Sequence, residues 1–431
     1  MKQGIVIGLL AMVIASCSPK QKSTDSFSPS VADFSVYLHH TSNQSILALQ
    51  QEEKFWMEKS PKGNEKWPYL VKLAGINSQL FDKTGDIEKI FLAEKQLKQA
   101  NQQTGLKNSS LLRSLARNFI TQHRFKEAHK LLNLADDIGE SQSATTKMLF
   151  DVYMELGMYD SAVIKLDTIR METFDYYIRL AKWQDHQGNL DDAIVSMEKA
   201  KTIAENQNNK GRMLWSYSNI ADYYGHAGQI QDSYSYYLKT LAIDSNYTYA
   251  LKGIAWIVFS NKRDSKLARK IIKDIQKKHN TPDYELFLLE IAKYEGNKEL
   301  EQKHKEKYQS LLSARDYGNM YNAYNIELWA DNESTATKAL ALALLEIENR
   351  STPQTYDLLA WAYFKNEQSQ KALKISSKYV IGKTFEPKAM YHSSEILKAN
   401  GFDNEAALLK KELQDAIYEL GPSMGLKINA I

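Results

Sequence analysis

A chain of 431 residues is longer than one globular core usually grows, which leaves several domains or one repetitive solenoid as the options. Hydrophobic residues make up 43% and charged residues 25%, a balance that excludes a disordered or mostly membrane-embedded chain. The formal net charge is only +3, from 55 basic and 52 acidic residues, so the chain lacks the basic stripe that nucleic-acid binding needs. The low counts of glycine (19) and proline (8) favour an all-α protein over a turn-rich β-protein.

The N-terminal residues predict export and a lipid anchor. A cationic start precedes an unbroken apolar run, residues 4–14, which is too short to cross a bilayer and has the size of a signal-peptide core. Residues 14–17 then read IASC, an aliphatic residue, two small residues and the only cysteine of the chain. This tetrapeptide resembles the lipobox of bacterial lipoproteins. The resemblance implies cleavage between Ser16 and Cys17, which removes residues 1–16, and attachment of a diacylglycerol to the Cys17 thiol.

A lipidated Cys17 would fix where the protein works. Two or three acyl chains give stable anchoring where a single chain is marginal. The chain has no other cysteine, so an internal disulfide is excluded. We therefore expect the protein in a bacterial cell envelope, bound to the membrane through lipid. In the lipoproteins that this signal resembles, aspartate after the cysteine favours the inner membrane; Ser18 stands here and favours the outer one. The basic residues that follow favour the periplasmic face over the cell surface.

Residues 17–44 predict a flexible tether between the lipid and the folded body. Six serines and two prolines lie between residues 18 and 35, without a helical period. His39 and His40 are adjacent, and neighbouring side chains on a regular element do not point at one ion. We therefore expect no metal site in this stretch.

From residue 45 onward the sequence predicts one helix after another, with small residues that recur at a regular interval. Four similar segments carry the pattern: residues 115–135, 149–169, 180–200 and 359–379. The recurring small residues are Ala128, Ala162, Ala193, Ser233, Ala268, Ala339, Ala372 and Ala406. Two antiparallel helices need a small residue where they cross closely. The glycines expected to end the first helix of a pair, with a positive φ, are Gly157, Gly188, Gly228 and Gly401.

This pattern resembles the tetratricopeptide repeat. Residues 220–247 match it best, with Gly228 in the family's place and Ser233 instead of the usual alanine. The resemblance implies an all-α, right-handed α-solenoid in which each helix pair stacks on the next. It covers residues 45–418 as about eight units after a partial leading one, and leaves residues 419–431 as a C-terminal tail.

The sequence contains none of the common catalytic motifs: no HExxH, no phosphate-binding glycine loop and no serine nucleophile elbow. We therefore expect no enzymatic activity, no cofactor and no metal site. His186 and His226 occupy equivalent places in consecutive units and can lie side by side on the inner wall, although packing at a turn is the more ordinary role.

In the tetratricopeptide family the first helices of the pairs line the concave surface that meets the ligand. Carried over unit by unit, this implies a candidate binding surface of Trp215, Asp222, Tyr321, Tyr324, Asp357, Trp361 and Phe364. Aromatic side chains bring a large contact area, which suits binding, but packing between units is also open to them. The predicted function is a noncatalytic adaptor or scaffold that holds a protein or peptide partner near a membrane. The alternative is a glycan-binding lipoprotein of a nutrient-uptake system, with exposed tryptophans that stack on sugars.

Overall fold

A computed structural model of the chain describes residues 27–38, 43–59 and 66–429. These residues are mostly helical, and no strand occurs among them. Four predicted features lie outside the described residues: the signal peptide 1–16, the cleavage site after Ser16, the lipidated Cys17, and the pair His39 and His40.

Helices α1 (Val31–Leu38) and α2 (Gln44–Lys59) precede ten antiparallel pairs, and two short helices follow them. The pairs are α3 (Trp67–Thr84) with α4 (Ile87–Gln103), α5 (Ser109–Thr121) with α6 (Phe125–Ile138), α7 (Gln142–Leu156) with α8 (Tyr159–Thr168), α9 (Phe174–His186) with α10 (Leu190–Asn206), α11 (Lys210–His226) with α12 (Ile230–Ile243), α13 (Thr248–Ser260) with α14 (Ser265–Gln276), α15 (Asp283–Tyr294) with α16 (Lys298–Ala314), α17 (Asn322–Ala330) with α18 (Ala336–Asn349), α19 (Pro353–Lys365) with α20 (Ser369–Tyr379), and α21 (Pro387–Ala399) with α22 (Asp403–Leu413). The last two helices are α23 (Ile417–Leu420) and α24 (Pro422–Asn429).

The predicted all-α solenoid is confirmed, and the recurring small residues explain how its pairs pack. All eight of these residues are at most 2% exposed, as expected where two helices approach too closely for a larger side chain. The four expected turn glycines follow the first helices of their pairs with φ between 72° and 81°. Residues with a Cβ rarely adopt this conformation, so glycine ends the helix and lets the chain reverse.

The described residues contain ten helix pairs, whereas the sequence predicted about eight units. Pairs α3–α4 and α15–α16 lack the small residue and have Ile90 and Glu301 at the matching position, five residues after the turn glycine. With these two positions included, the series runs at intervals of 31 to 40 residues from Ile90 to Ala406. These two pairs depart most from the repeat pattern.

Successive turns of the solenoid stack directly on each other. Three contacts join a turn glycine to a later connection: Gly85 with Thr281, Gly157 with Ser351, and Gly188 with Phe385. A Cβ added to any of these glycines would lie 2.5–2.7 Å from its partner. The partners are separated by 196, 194 and 197 residues, so one superhelical turn takes nearly the same length of chain at each contact. The second turn therefore rests on the first, and the two enclose a common interior.

Residues 27–38 were predicted as part of a flexible tether, and that prediction is wrong. In the structure α1 lies against α12 and α14. Phe34 is fully buried, Leu38 is nearly so, and Tyr234 Oη donates to the carbonyl oxygen of Ser30 at 3.2 Å. Phe34 and Leu38 are four residues apart and form one apolar helix face, a signal that the serine-rich composition around them obscured.

The predicted C-terminal tail from residue 419 is also wrong. Helix α23 lies against α11, α13 and α21, and α24 lies against α15. We call residues 416–429 the C-terminal segment. Leu420 and Ile428 in this segment are buried, so it belongs to the folded body and occupies the interior of the superhelix.

Candidate functional site

The seven residues predicted to form the concave surface all lie on first helices of their pairs or at the cap of such a helix. Their exposure differs: Trp215 and Tyr324 are exposed, Asp222 and Phe364 are half-buried, and Tyr321, Asp357 and Trp361 are buried. The structure thus places all seven on the expected helices, but it does not present them as one open surface.

Asp222, on α11, is bound by tyrosines from two neighbouring helices. Tyr249 Oη donates to Asp222 Oδ2 at 2.6 Å, and Tyr237 Oη donates to Asp222 Oδ1. Burial raises the pKa of Asp222, and the two phenolic hydrogen bonds oppose that effect. The carboxylate therefore joins α11, α12 and α13 and is already occupied as an acceptor.

Tyr321, at the cap of α17, belongs to an ion-pair network on the inner wall. Lys252 Nζ donates to Asp283 Oδ2 at 2.7 Å, and Tyr321 Oη donates to Asp283 Oδ1 at 3.3 Å. Burial by itself would raise the pKa of Asp283, but the Lys252 ammonium holds it below its usual value. Tyr324, whose ring centroid is 5.9 Å from that of Tyr321, is 46% exposed beside this network.

Trp361, on α19, is 5% exposed, and neighbouring groups already use its ring. The imidazole of His392 stacks on it at 4.0 Å between centroids, and Lys365 Nζ lies 4.6 Å from the ring centroid. His392 Nδ1 is also 2.8 Å from Asp357 Oδ2. Asp357 and Trp361 therefore fix α21 against α19, with no ring face free for a ligand.

The C-terminal segment covers this part of the inner wall. Leu420 and Ile428 pack into the same cluster as Trp361, and Met424 packs against that cluster together with Phe364. Met424 and Ile428 are four residues apart on one face of α24, and Leu420 lies at the end of α23, before the break in the helix at Gly421. Two predicted ligand-binding residues, Trp361 and Phe364, thus belong to one apolar cluster with the chain's own C-terminal segment.

On its other side the segment is fixed by polar contacts that sequence reasoning missed. The carbonyl oxygen of Tyr418 accepts hydrogen bonds from Trp256 Nε1 at 3.1 Å and from Ser260 Oγ at 2.6 Å. Gly225, inside α11, faces the Tyr418 ring so closely that a Cβ there would lie 3.0 Å from it. The spacing of residues 420, 424 and 428 was the only available signal, and it identifies no partner surface.

A chamber of about 630 Å³ remains beside the segment. Its walls come from early pairs, late pairs and the segment, and the charged or titratable residues that line it are Glu155, Tyr159, Lys182, Asp185, His186, His226, Arg350, Glu386, Glu412, Asp415 and Glu419. The two histidines expected on the inner wall thus line one chamber. They have separate contacts, because His186 stacks on Tyr159 at 4.1 Å whereas His226 Nδ1 lies 3.8 Å from Glu419 Oε2.

Carboxylates outnumber bases in the chamber. Lys182 Nζ and Arg350 Nη1 both bind the Glu155 carboxylate, at 2.9 Å and 3.0 Å. These two basic side chains therefore do not fully neutralise the other acidic side chains of the chamber. Burial raises the pKa of Asp185 and Glu386, and at Glu386 the neighbouring carboxylates add to the effect. Acidic side chains therefore predominate among the ionisable groups that line the chamber.

Two further properties concern metals and membranes. Within residues 27–38, 43–59 and 66–429, no group of three or more histidine, cysteine or acidic side chains is placed to hold a metal ion. None of the helices in those ranges is long and apolar enough to cross a membrane.

No protein-family profile matches the chain, and no curated protein matches it. Among solved structures the chain is similar to yeast Tom70, at 14% identity and a TM-score of 0.35, over 81% of this chain and 92% of that one. It is also similar to a STAND protein with a tetratricopeptide repeat sensor from Pyrococcus horikoshii, at 16% identity and a TM-score of 0.38. That match covers 86% of this chain and only 56% of the other. Neither likeness bears on what this chain binds.

Proposed function

We propose that the protein is a noncatalytic scaffold of a bacterial cell envelope, anchored to the membrane through Cys17, that holds a protein or peptide partner on the inner wall of its solenoid. The observation that supports this proposal is the C-terminal segment. Met424 and Ile428 lie on one face of its helix α24 and share one apolar cluster with Trp361 and Phe364, so the inner wall can accommodate an amphipathic helix. The exposed Tyr324 extends the same wall beyond the segment.

The docking of α1 supports a defined position of the body relative to the anchor. Phe27 packs on Tyr234 with 5.3 Å between ring centroids. Ten residue steps separate Cys17 from Phe27, and a chain of that length spans at most about 36 Å. A lipid on Cys17 would thus keep Phe27 within that distance of the membrane surface, with Tyr234 of α12 beside it.

The glycan-binding alternative has no comparable support in these residues. Its proposed contact Trp361 is buried under His392, and Trp215 packs edge-to-face against Phe174 at 6.0 Å. Stacking on a sugar needs a free ring face, which Trp361 does not offer.

Replacing the predicted lipidation site should detach the protein from the membrane. In cells given labelled palmitate, we expect the wild-type chain to incorporate the label and to fractionate with membranes. Cys17→Ser should incorporate no label, keep its signal peptide and appear in the soluble fraction, because no other thiol can accept the lipid. Ser18→Ala is the matched control and should behave as wild type. Unchanged membrane fractionation of Cys17→Ser would refute the anchor.

A photo-crosslinking amino acid at Tyr324 should capture a partner protein in intact cells, because this side chain is exposed on the inner wall. The matched control position is Leu408, which is 65% exposed on α22, the second helix of its pair. We expect a discrete crosslinked species from position 324 and none from position 408, by immunoblot and mass spectrometry. Equal products from both positions, or none from either, would contradict a partner on the inner wall.

A further inference from the structure

We propose that the C-terminal segment, residues 416–429, is an exchangeable occupant of the inner wall, which an amphipathic helix of a partner protein displaces. This inference rests on the proposed scaffold function and makes it more specific. The partner helix would carry apolar residues four positions apart, as α24 does at Met424 and Ile428. The segment thus acts as a ligand supplied by the chain itself.

The apolar contacts of the segment have the form of a bound helix. Leu420 and Ile428 join Trp361 and Tyr391 in one buried cluster, while Leu426, which lies on α24 with Ile428, is 59% exposed. One face of α24 is therefore buried and the other is in contact with solvent. A helix that completed a core on all sides would bury both faces.

The polar contacts of the segment are few, and two of them end at its own backbone. The Tyr418 carbonyl accepts from Trp256 and Ser260, and Ser423 Oγ donates to the carbonyl oxygen of Glu290 at 3.3 Å. A carbonyl oxygen is present in every peptide, so Trp256 and Ser260 can make the same hydrogen bonds to another segment of suitable shape.

The wall also offers a hydrogen bond that the segment does not make. Glu290 Oε1 is buried and has no hydrogen-bond partner in the part of the chain that the structure describes. Gly421 lies beside it and has no side chain to donate, since a Cβ there would be 3.8 Å from this oxygen. A partner helix that brings a donor to this point gains a contact that the resident segment lacks.

The segment's own helices depend on the wall for their order. Helices α23 and α24 have four and eight residues, and helices this short do not persist alone in water. Each wall helix, in contrast, packs in its own antiparallel pair. The wall can therefore remain folded after the segment leaves, and the chamber lined by Ala416 and Glu419 gives a displacing chain room to enter.

A cleavable link between segment and solenoid tests the inference. A short recognition site for a specific protease is inserted between Gln414 and Asp415, which are both exposed, in the full-length chain. The probe is a fluorescent peptide of residues 416–431. A tethered segment has an effective concentration in the millimolar range, so uncut protein should bind the peptide at least about 100-fold more weakly than cut protein. Cut protein should take up the peptide saturably and release its own fragment. A control peptide with Leu420→Asp and Met424→Asp should not bind.

Two results would overturn the inference. In the first, the cut protein retains its fragment through dilution and excludes the peptide. In the second, loss of the fragment abolishes the helical circular dichroism of the solenoid. Either shows that the segment is a permanent part of the core. Neither result contradicts the scaffold function, which is tested separately by crosslinking at Tyr324 in cells without any peptide. Exchange of the peptide together with no captured partner would contradict the scaffold alone.

Discussion

Replacement of Glu285 by alanine should lower the free energy of unfolding by about 3 to 5 kcal/mol, since it leaves a buried ion network without its carboxylate. Glu285 is 0% exposed on α15. Gln276 Nε2 donates to Oε1 at 2.7 Å, Lys307 Nζ lies 2.6 Å from the same oxygen, and His304 Nδ1 lies 2.7 Å from Oε2. The carboxylate thus joins α14, α15 and α16, and chemical denaturation followed by circular dichroism measures its loss.

The matched control for this change is Glu299→Ala, in the same helix pair. Glu299 is exposed at the start of α16, and substitutions at such sites usually change stability by no more than about 0.5 kcal/mol. Glu285→Gln keeps the side-chain shape and removes only the charge, so its effect should fall between the two. An effect of Glu285→Ala no larger than that of the control would mean that the network does not stabilise this pair.

The same carboxylate gives the stability a defined pH dependence. Burial would raise the pKa of Glu285, but the hydrogen bonds from His304, Lys307 and Gln276 lower it from 4.5 to about 2. A depressed pKa means that the contribution is fully present above pH 4.5 and is lost as the pH falls toward 2. The difference in stability between wild type and Glu285→Gln should therefore shrink across that interval.

The repeat architecture could be predicted from the sequence because it depends on local packing. A single small residue such as Ala162 indicates where the two helices of a pair cross closely, and a glycine such as Gly157 indicates the turn between them. The pair around Glu285 was the hardest to recognise, since Glu301 replaces the small residue. Ion pairing to Glu285, which the repeat pattern does not encode, helps to hold this pair together.

The use of the inner wall could not be predicted, because it depends on contacts between distant parts of the chain. Trp256 and Tyr418 are 162 residues apart, and Lys278 and Tyr37 are 241 apart. The sequence placed Trp361 on the first helix of a pair, where it lies as part of α19. The sequence did not indicate that the C-terminal segment packs into the same cluster, since the Gly-Pro pair at residues 421 and 422 resembles the end of a folded region.

The stacking of superhelical turns leads to the second large expected effect, at Gly157. This glycine has φ of 75°, and a Cβ there would lie 2.5 Å from the carbonyl oxygen of Ser351. Gly157→Ala should therefore lower the free energy of unfolding by about 1 to 2 kcal/mol through the left-handed backbone and by about 1 to 3 kcal/mol more through the clash between turns. Because the clash is relieved when the turns separate, small-angle scattering should show a larger radius of gyration.

Gly401→Ala separates the two contributions. Gly401 ends α21 with φ of 81°, but no atom lies within 4 Å of a Cβ built there. This variant should show only the backbone cost and an unchanged radius of gyration. The difference in lost stability between the two variants then measures the contribution of the contact between turns. The ion pair of Arg350 with Glu155 also joins these two turns. If both variants lose the same stability and keep the same dimensions, the two turns do not depend on each other, and the enclosed interior that holds the C-terminal segment must be maintained by the segment itself.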